Sequence, residues 1–212
     1  MSKIIGITGF IGSGKDTAAD YLCTHYNFKK LSFAGALKDA VSVIFDWDRE
    51  MLEGTTSDSR TWREEVDQWW ANRLSIPHLT PRWILQQWGT EVGRLGFHNE
   101  IWVATVENQI RKTNDNIVIT DCRFPNEIEA IKRSGGIAIR VERGEKPSWY
   151  QDALIVNQGL QNAEWELAKA RLLESGAHAS EYSSVGIDYD YIIDNNGSVE
   201  ELQAKVESIV NS

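Results

Sequence analysis

Cysteine is almost missing from this chain: Cys23 and Cys122 are the only two among 212 residues. They show no metal-ligand spacing, so they read as two core thiols of a reduced, cytoplasmic protein. Positive charge is also scarce. Lys and Arg number 22 against 31 Asp and Glu, leaving a net charge of −9 and a pI near 5.0. A surface that acidic repels polynucleotides, which argues against long DNA or RNA as a partner, although a small nucleotide can still bind where a few cations cluster. No run approaches the ~18 apolar residues of a membrane span. The apolar run near the N-terminus is too short for a secretion signal and passes straight into a glycine-rich turn, so no leader is expected. Repeats and low-complexity stretches are absent as well. What remains is a chain 42% hydrophobic, a length and composition that fit one α/β domain over residues 1–212 with one filled core.

The most informative stretch is Lys3 to Thr17. Ile4 to Thr8 reads as a buried strand, Gly9, Gly12 and Gly14 as a tight turn, and a helix is expected from about Lys15. A strand, a G-x-x-x-x-G-K turn and a helix together form a phosphate-binding loop. Glycines let backbone N–H groups approach phosphate oxygens, and the helix N-terminus adds its positive end. Lys15 supplies a point charge. The usual Ser or Thr after the lysine is replaced by Asp16, with Thr17 one place later.

Farther along, the pattern predicts a strand over 30–33, a helix over 34–45, a polar turn-rich stretch over 53–60 and a helix over 62–74. Thr80-Pro81 opens a helix expected to run to about Leu95. Asn99 caps another, to about Lys112. A buried strand over 116–120 precedes a helix over 125–134. A strand over 137–141, a helix over 161–174, a strand over 189–193 and a capped final helix from Ser198 complete the chain. Five short strands alternating with helices predict a parallel sheet covered on both faces, with ligands at the carboxyl ends of the strands.

Several constellations carry candidate chemistry. On a regular helix, Arg82, Gln86, Gly89 and Gly93 would share one stripe that something flat and polar could approach closely, such as a nucleotide monophosphate. Spacing alone favours a solvated face with helix-packing glycines. Arg94 follows near the helix end. Asp121, at the end of a buried strand, stands where phosphate-loop proteins hold a second magnesium anchor, with Arg123 and Glu127 after it. A helix cap with a surface ion pair fits the same residues. Lys38 and Asp39, Arg60 and Arg63, and Arg140, Arg143 and Lys146 are further cations and carboxylates that could serve phosphates or solvent. The stretch to Gly176 lacks a strand pattern and reads as a mobile lid, and His178 decides nothing alone. Nine tryptophans are many for this length; six fall between 62 and 102, and Trp102 is the best placed of them to face a ligand.

At this point the chain resembles bacteriophage-type deoxynucleoside monophosphate kinases. The shared pieces are S-G-K-D-T with Ala19-Asp20, A-G-A-L-K-D-A at 34–40, R-W-I-L-Q-Q-W-G-T-E-V-G-R at 82–94 with Trp102, D-C-R-F-P-N-E at 121–127, H-A-S-E at 178–181 and I-I-D-N-N-G-S-V-E-E-L at 192–202. They run in family order along nearly the whole chain. The resemblance accounts for Asp16, because G-K-D-T is that family's form of the loop; phosphomevalonate kinase shares the G-K-D variant. It implies a P-loop, nucleoside monophosphate kinase-like fold, with a helical acceptor-binding region over 46–113 and a lid-like region over 143–181.

It also implies the reaction: transfer of the ATP γ-phosphoryl to the 5′-phosphate of a deoxynucleoside monophosphate, with Mg2+. Gly12, Ser13, Gly14, Lys15, Asp16, Thr17 and Arg143 would bind ATP, with Asp16 and Thr17 placing the metal directly or through water. Lys38, Arg82, Gln86, Gly89, Thr90, Arg94 and Trp102 would bind the acceptor, joined by Asp121, Arg123 and Glu127. Lys15, Asp16, Asp121 and Arg123 would be the catalytic set. The implied partners are nucleotides alone, with no polynucleotide or membrane, and the implied assembly is a homodimer in the cytoplasm, that of an infected bacterium if the source is a phage. A kinase for another small phosphate, or a non-catalytic nucleotide switch, would share the donor loop but differ in acceptor turnover.

Overall fold

A computed structural model describes residues 2–212. In chain order the elements are β1 (Ile4–Thr8), α1 (Lys15–Tyr26), β2 (Phe28–Leu31), α2 (Gly35–Phe45), α3 (Ser57–Glu64), α4 (Gln68–Leu74), α5 (Pro81–Gln86), a π-helix (Gln87–Phe97), α6 (Ile101–Ile110), β3 (Asn116–Ile119), α7 (Pro125–Arg133), β4 (Ile137–Glu142), α8 (Tyr150–Asn157), α9 (Ala163–Glu174), α10 (Ala179–Tyr182), β5 (Tyr191–Asp194) and α11 (Val199–Val210). They gather into two compact units. One holds the chain up to Leu31 together with Ile110–Ser212; the other is Ser32–Gln109.

The first unit is a five-stranded parallel sheet in the order β2-β3-β1-β4-β5. Central β1 is buried at every position, which is why it reads as a continuous apolar run rather than an alternating one. Ile5 lies opposite Val118 on one side and Ile137 on the other. Ala18, Ala19 and Leu22 of α1 join Leu202, Val206 and Val210 of α11 in one core cluster with Ile5, Ile7 and Ile139. Ile131 of α7 packs over Gly6, where a Cβ would displace it. The edge strand β2 turns Lys29 and Lys30 outward to Asp115 and Asp20, charges that discourage pairing with another strand. Tyr150–Asn157, for which the sequence pattern predicts no element within the lid-like stretch, is a helix: Tyr150 and Ala153 are buried in a cluster with Leu172 of α9 and Val185.

The second unit is helical, and its core is aromatic. Trp47 stacks on Phe45 at 4.5 Å, and Trp70 and Trp88 meet Phe45 edge-on. The helix expected over 62–74 is two helices. Asp67 breaks it, because its carboxylate caps α4 by accepting the Trp70 N–H and also accepts the Trp47 indole N–H at 2.8 Å. α3 likewise begins earlier than expected, at a reciprocal cap between Thr56 and Ser59. Thr80 and Pro81 open α5 as read, but the helix leaves α geometry at Gln87. Strand β2 starts two residues before the expected 30–33, where Phe28 is buried under the sheet.

Candidate functional site

The phosphate loop is built by the abrupt end of β1. Gly12 and Gly14 take left-handed φ values of +79° and +97°, a region that side chains with a Cβ rarely enter. A Cβ on Gly14 would also run into the Asn195 amide. That amide, buried just after β5, donates to the Ser13 carbonyl at 2.8 Å and so ties the loop to the far strand. The Ser13 N–H donates to the Phe10 carbonyl at 3.1 Å, and its hydroxyl is buried without a hydrogen-bond partner. Ser13 therefore faces inward and supports the loop. Among the described residues no side chain caps α1, which leaves the N–H groups of its first turn directed outward beside Asp16 and Thr17, both exposed. Such a helix start attracts an anion.

Lys15 bends back so that its Nζ lies 3.4 Å from the Phe10 carbonyl. Burial pushes its ammonium below the ordinary lysine value; Asp16 pulls it back up, and the charge of Arg123 lowers it again. Arg123 thus acts on Lys15 as a like charge, which an anion held at the loop would offset.

Arg123 belongs to the turn after β3. The buried Glu127 carboxylate accepts the N–H groups of Arg123 at 2.7 Å and Phe124 at 3.1 Å, fixing the backbone between strand and helix. The Arg123 guanidinium donates to Ser180 Oγ at 3.4 Å. Asp121 is half-buried at the strand end. Burial drives the Cys122 thiol well above its usual acidity range, so it is an inert core group. Arg143 is exposed past the end of β4. Arg140 is instead buried beneath the loop: it donates to Glu142 at 2.9 Å and to the Ser184 carbonyl at 3.2 Å, and stacks over the Phe10 ring at 5.0 Å. Asn195 was not singled out as a site residue by sequence, although the Asn-Asn-Gly run after the last strand was an available signal. Arg140, by sequence a cation for phosphate or solvent, is instead a buried brace under the loop.

The remaining candidates lie in the second unit. Lys38 pairs with Glu53 at 2.5 Å, and Arg49 binds the same carboxylate. Burial raises the Glu53 carboxyl, but Lys38 and Arg49 together hold it below its usual value. Arg82 pairs with Glu64 at 3.0 Å, and buried Arg94 donates to the Asn99 carbonyl at 3.0 Å. Gln86 and Thr90 are half-buried. Because the chain is π-helical from Gln87, the stripe expected of Arg82, Gln86, Gly89 and Gly93 does not continue past Gln86. Gly89 instead packs near Leu37, and Gly93 lies under the Trp102 ring, whose indole N–H donates to the Gly89 carbonyl at 2.8 Å. Trp102 and the π-helix therefore form one packed piece.

The sequence profile of deoxynucleotide monophosphate kinases matches residues 62–174. A protein of Acanthamoeba polyphaga mimivirus, provisionally named a deoxynucleotide monophosphate kinase, is 28% identical over 99% of this chain and 96% of its own length. The deoxynucleoside-5′-monophosphate kinase of Escherichia phage T5 is 26% identical over 63% of this chain and 73% of its own. The deoxynucleotide monophosphate kinase of Enterobacteria phage T4 is 23% identical over 97% and 98%. With the profile covering more than half of the residues, and the phosphate loop preceding it in place, the chain belongs to the deoxynucleotide monophosphate kinase family.

Proposed function

We infer that the protein transfers the γ-phosphoryl group of ATP to the 5′-phosphate of a deoxynucleoside monophosphate, giving the diphosphate and ADP. The observation that carries this is the phosphate loop itself, with the uncapped start of α1 and Lys15 folded back over the loop, in a chain of this family. The acceptor phosphate is already ionised at neutral pH, so the task is positioning and charge neutralisation rather than proton abstraction.

In this reading the amides from Gly12 to Thr17 and the Lys15 ammonium hold the ATP phosphates, with Arg143 from the turn after β4. Asp16 and Thr17 present hard oxygen donors open to solvent, which suit a magnesium ion that keeps waters and phosphate oxygens as its other ligands. When bound, the metal offsets phosphate charge. Arg123 would neutralise charge on the transferring group, Asp121 would serve as a second magnesium anchor, and Glu127 keeps the Arg123 backbone in place. Lys38, Arg82, Gln86, Gly89, Thr90, Arg94 and Trp102 are assigned to the acceptor nucleotide. Glu53 and Glu64 then hold Lys38 and Arg82 until a phosphate competes for them. A homodimer resident in the cytoplasm, with nucleotides and not polynucleotides as partners, completes the reading; the net charge of −9 supports the last part. Among the described residues no helix is long and apolar enough to cross a membrane.

The deciding experiment is a coupled assay of ADP formation with ATP and Mg2+ over deoxy- and ribonucleoside monophosphates, with mevalonate 5-phosphate included. Turnover of at least one deoxynucleotide is expected. Turnover of mevalonate 5-phosphate alone would replace the acceptor, and no turnover with any of them would leave a binding protein.

A further inference from the structure

Arg123 carries its charge on a long, exposed side chain, and a guanidinium that is free to swing delivers little preorganised stabilisation. Its backbone is fixed by Glu127, but that does not aim the head group. The head group meets Ser180 Oγ at 3.4 Å, and Ser180 Oγ lies 2.9 Å from His178 Nδ1. The Ser180 N–H also points at His178 Nδ1, at 3.2 Å. These contacts assign the hydrogens. With Nδ1 accepting from the Ser180 N–H, its lone pair lies on that side, and the imidazole proton is assigned to Nε2. The Ser180 hydroxyl then donates to Nδ1, and its own lone pairs are left facing Arg123. The order is Arg123 to Ser180 to His178, each donating to the next.

We propose that Ser180 and His178 are positioning residues that aim Arg123 toward the phosphate site it shares with Lys15, which gives the His-Ala-Ser-Glu stretch at 178–181 a role in phosphoryl transfer. The inference rests on the kinase reading and adds to it residues that touch neither nucleotide. A direct role in packing is a poor alternative, because His178, Ser180 and Arg123 are all at least partly exposed.

The test is a double-mutant cycle on the full chain: wild type, Ser180→Ala, Arg123→Ala and the double variant. Each is measured for kcat, for both KM values, and for ATP affinity by calorimetry. Ser180→Ala is expected to lower kcat about tenfold, the scale of one lost hydrogen bond to a charged group, with the monophosphate KM nearly unchanged. In the Arg123→Ala background the same change should do nothing further, in kcat or in ATP affinity. His178→Ala should mimic Ser180→Ala. His178→Asn should restore most of the activity, since its amide oxygen can accept where Nδ1 does. Ser180→Ala with wild-type kcat and ATP affinity overturns the proposal, as does an equal loss in both backgrounds. If the wild type turns over no monophosphate, the kinase reading fails separately. The ATP-affinity cycle then decides alone: coupling between positions 123 and 180 supports the positioning, and its absence refutes it.

Discussion

Lys15 shows how a single side chain links stability to ligand binding. Its ammonium is depressed by burial below the ~10.4 of an unfolded lysine, so the unfolded chain holds that proton more tightly. Burying the charge therefore costs stability at neutral pH. The cost fades as pH climbs through the depressed value toward ~10.4. ATP phosphates favour the charged form, so nucleotide binding within that window should take up a proton. Calorimetry in two buffers of different ionisation enthalpy reads the uptake, and Lys15→Met should abolish it. Lys15→Ala should lower kcat on the order of 100-fold or more while leaving the fold intact, since it removes charge stabilisation and little packing; far-ultraviolet circular dichroism checks the second half. Asn195→Ala should weaken the loop from beneath. It strands the Ser13 carbonyl, a loss of about 1–3 kcal/mol, or about 2–4 °C in Tm per kcal/mol for a chain of this size. The ATP KM should rise with it.

At the scale of elements, the π-helix is closely packed against Trp102. A Cβ on Gly93 would lie 2.7 Å from the Trp102 ring and 2.9 Å from the Trp88 carbonyl. Backbone cannot yield as a side chain can, so Gly93→Ala should destabilise by about 1–3 kcal/mol, read from urea denaturation. Arg82→Ala and Gln86→Ala test the acceptor assignment. Both sit on α5, outside the unit that carries the phosphate loop, and should raise the monophosphate KM while leaving ATP affinity near wild type. A selective loss of ATP affinity would reverse the assignment.

For the molecule as a whole, the expected behaviour is preference for 2′-deoxynucleotides. An apolar wall at C2′ strips water from an added hydroxyl without offering a partner, at about 1–3 kcal/mol. That is roughly one to two decades in kcat/KM. Trp102 is the proposed wall: its indole N–H is already spent on Gly89, which leaves the ring as an apolar surface held in one orientation. Comparing dGMP with GMP and dTMP with UMP measures the preference. Equal use in every base series would remove the wall while leaving the kinase standing.

The sequence alone determined what local chemistry controls. The phosphate loop was legible because its glycines, Lys15 and the preceding apolar run each have one dominant reason to occur in that order. The parallel sheet was legible because strands buried on both faces, β1 above all, read as continuous apolar runs between helices. The caps at Thr80 and Ser198 were legible because a cap is a contact between near neighbours. Tertiary structure decided the rest. Asp67 ended a helix that periodicity carried through, because one carboxylate oxygen caps α4 while the other holds the indole N–H of Trp47, which lies well back in the chain. Gly89 and Gly93 lost their shared stripe because the chain widens into a π-helix around Trp102. Asn195 and Arg140 came to brace the phosphate loop, and Ser180 to meet Arg123, from positions distant in sequence. Such partners are chosen by the strand order and by burial, and neither is written in the spacing of the residues that meet.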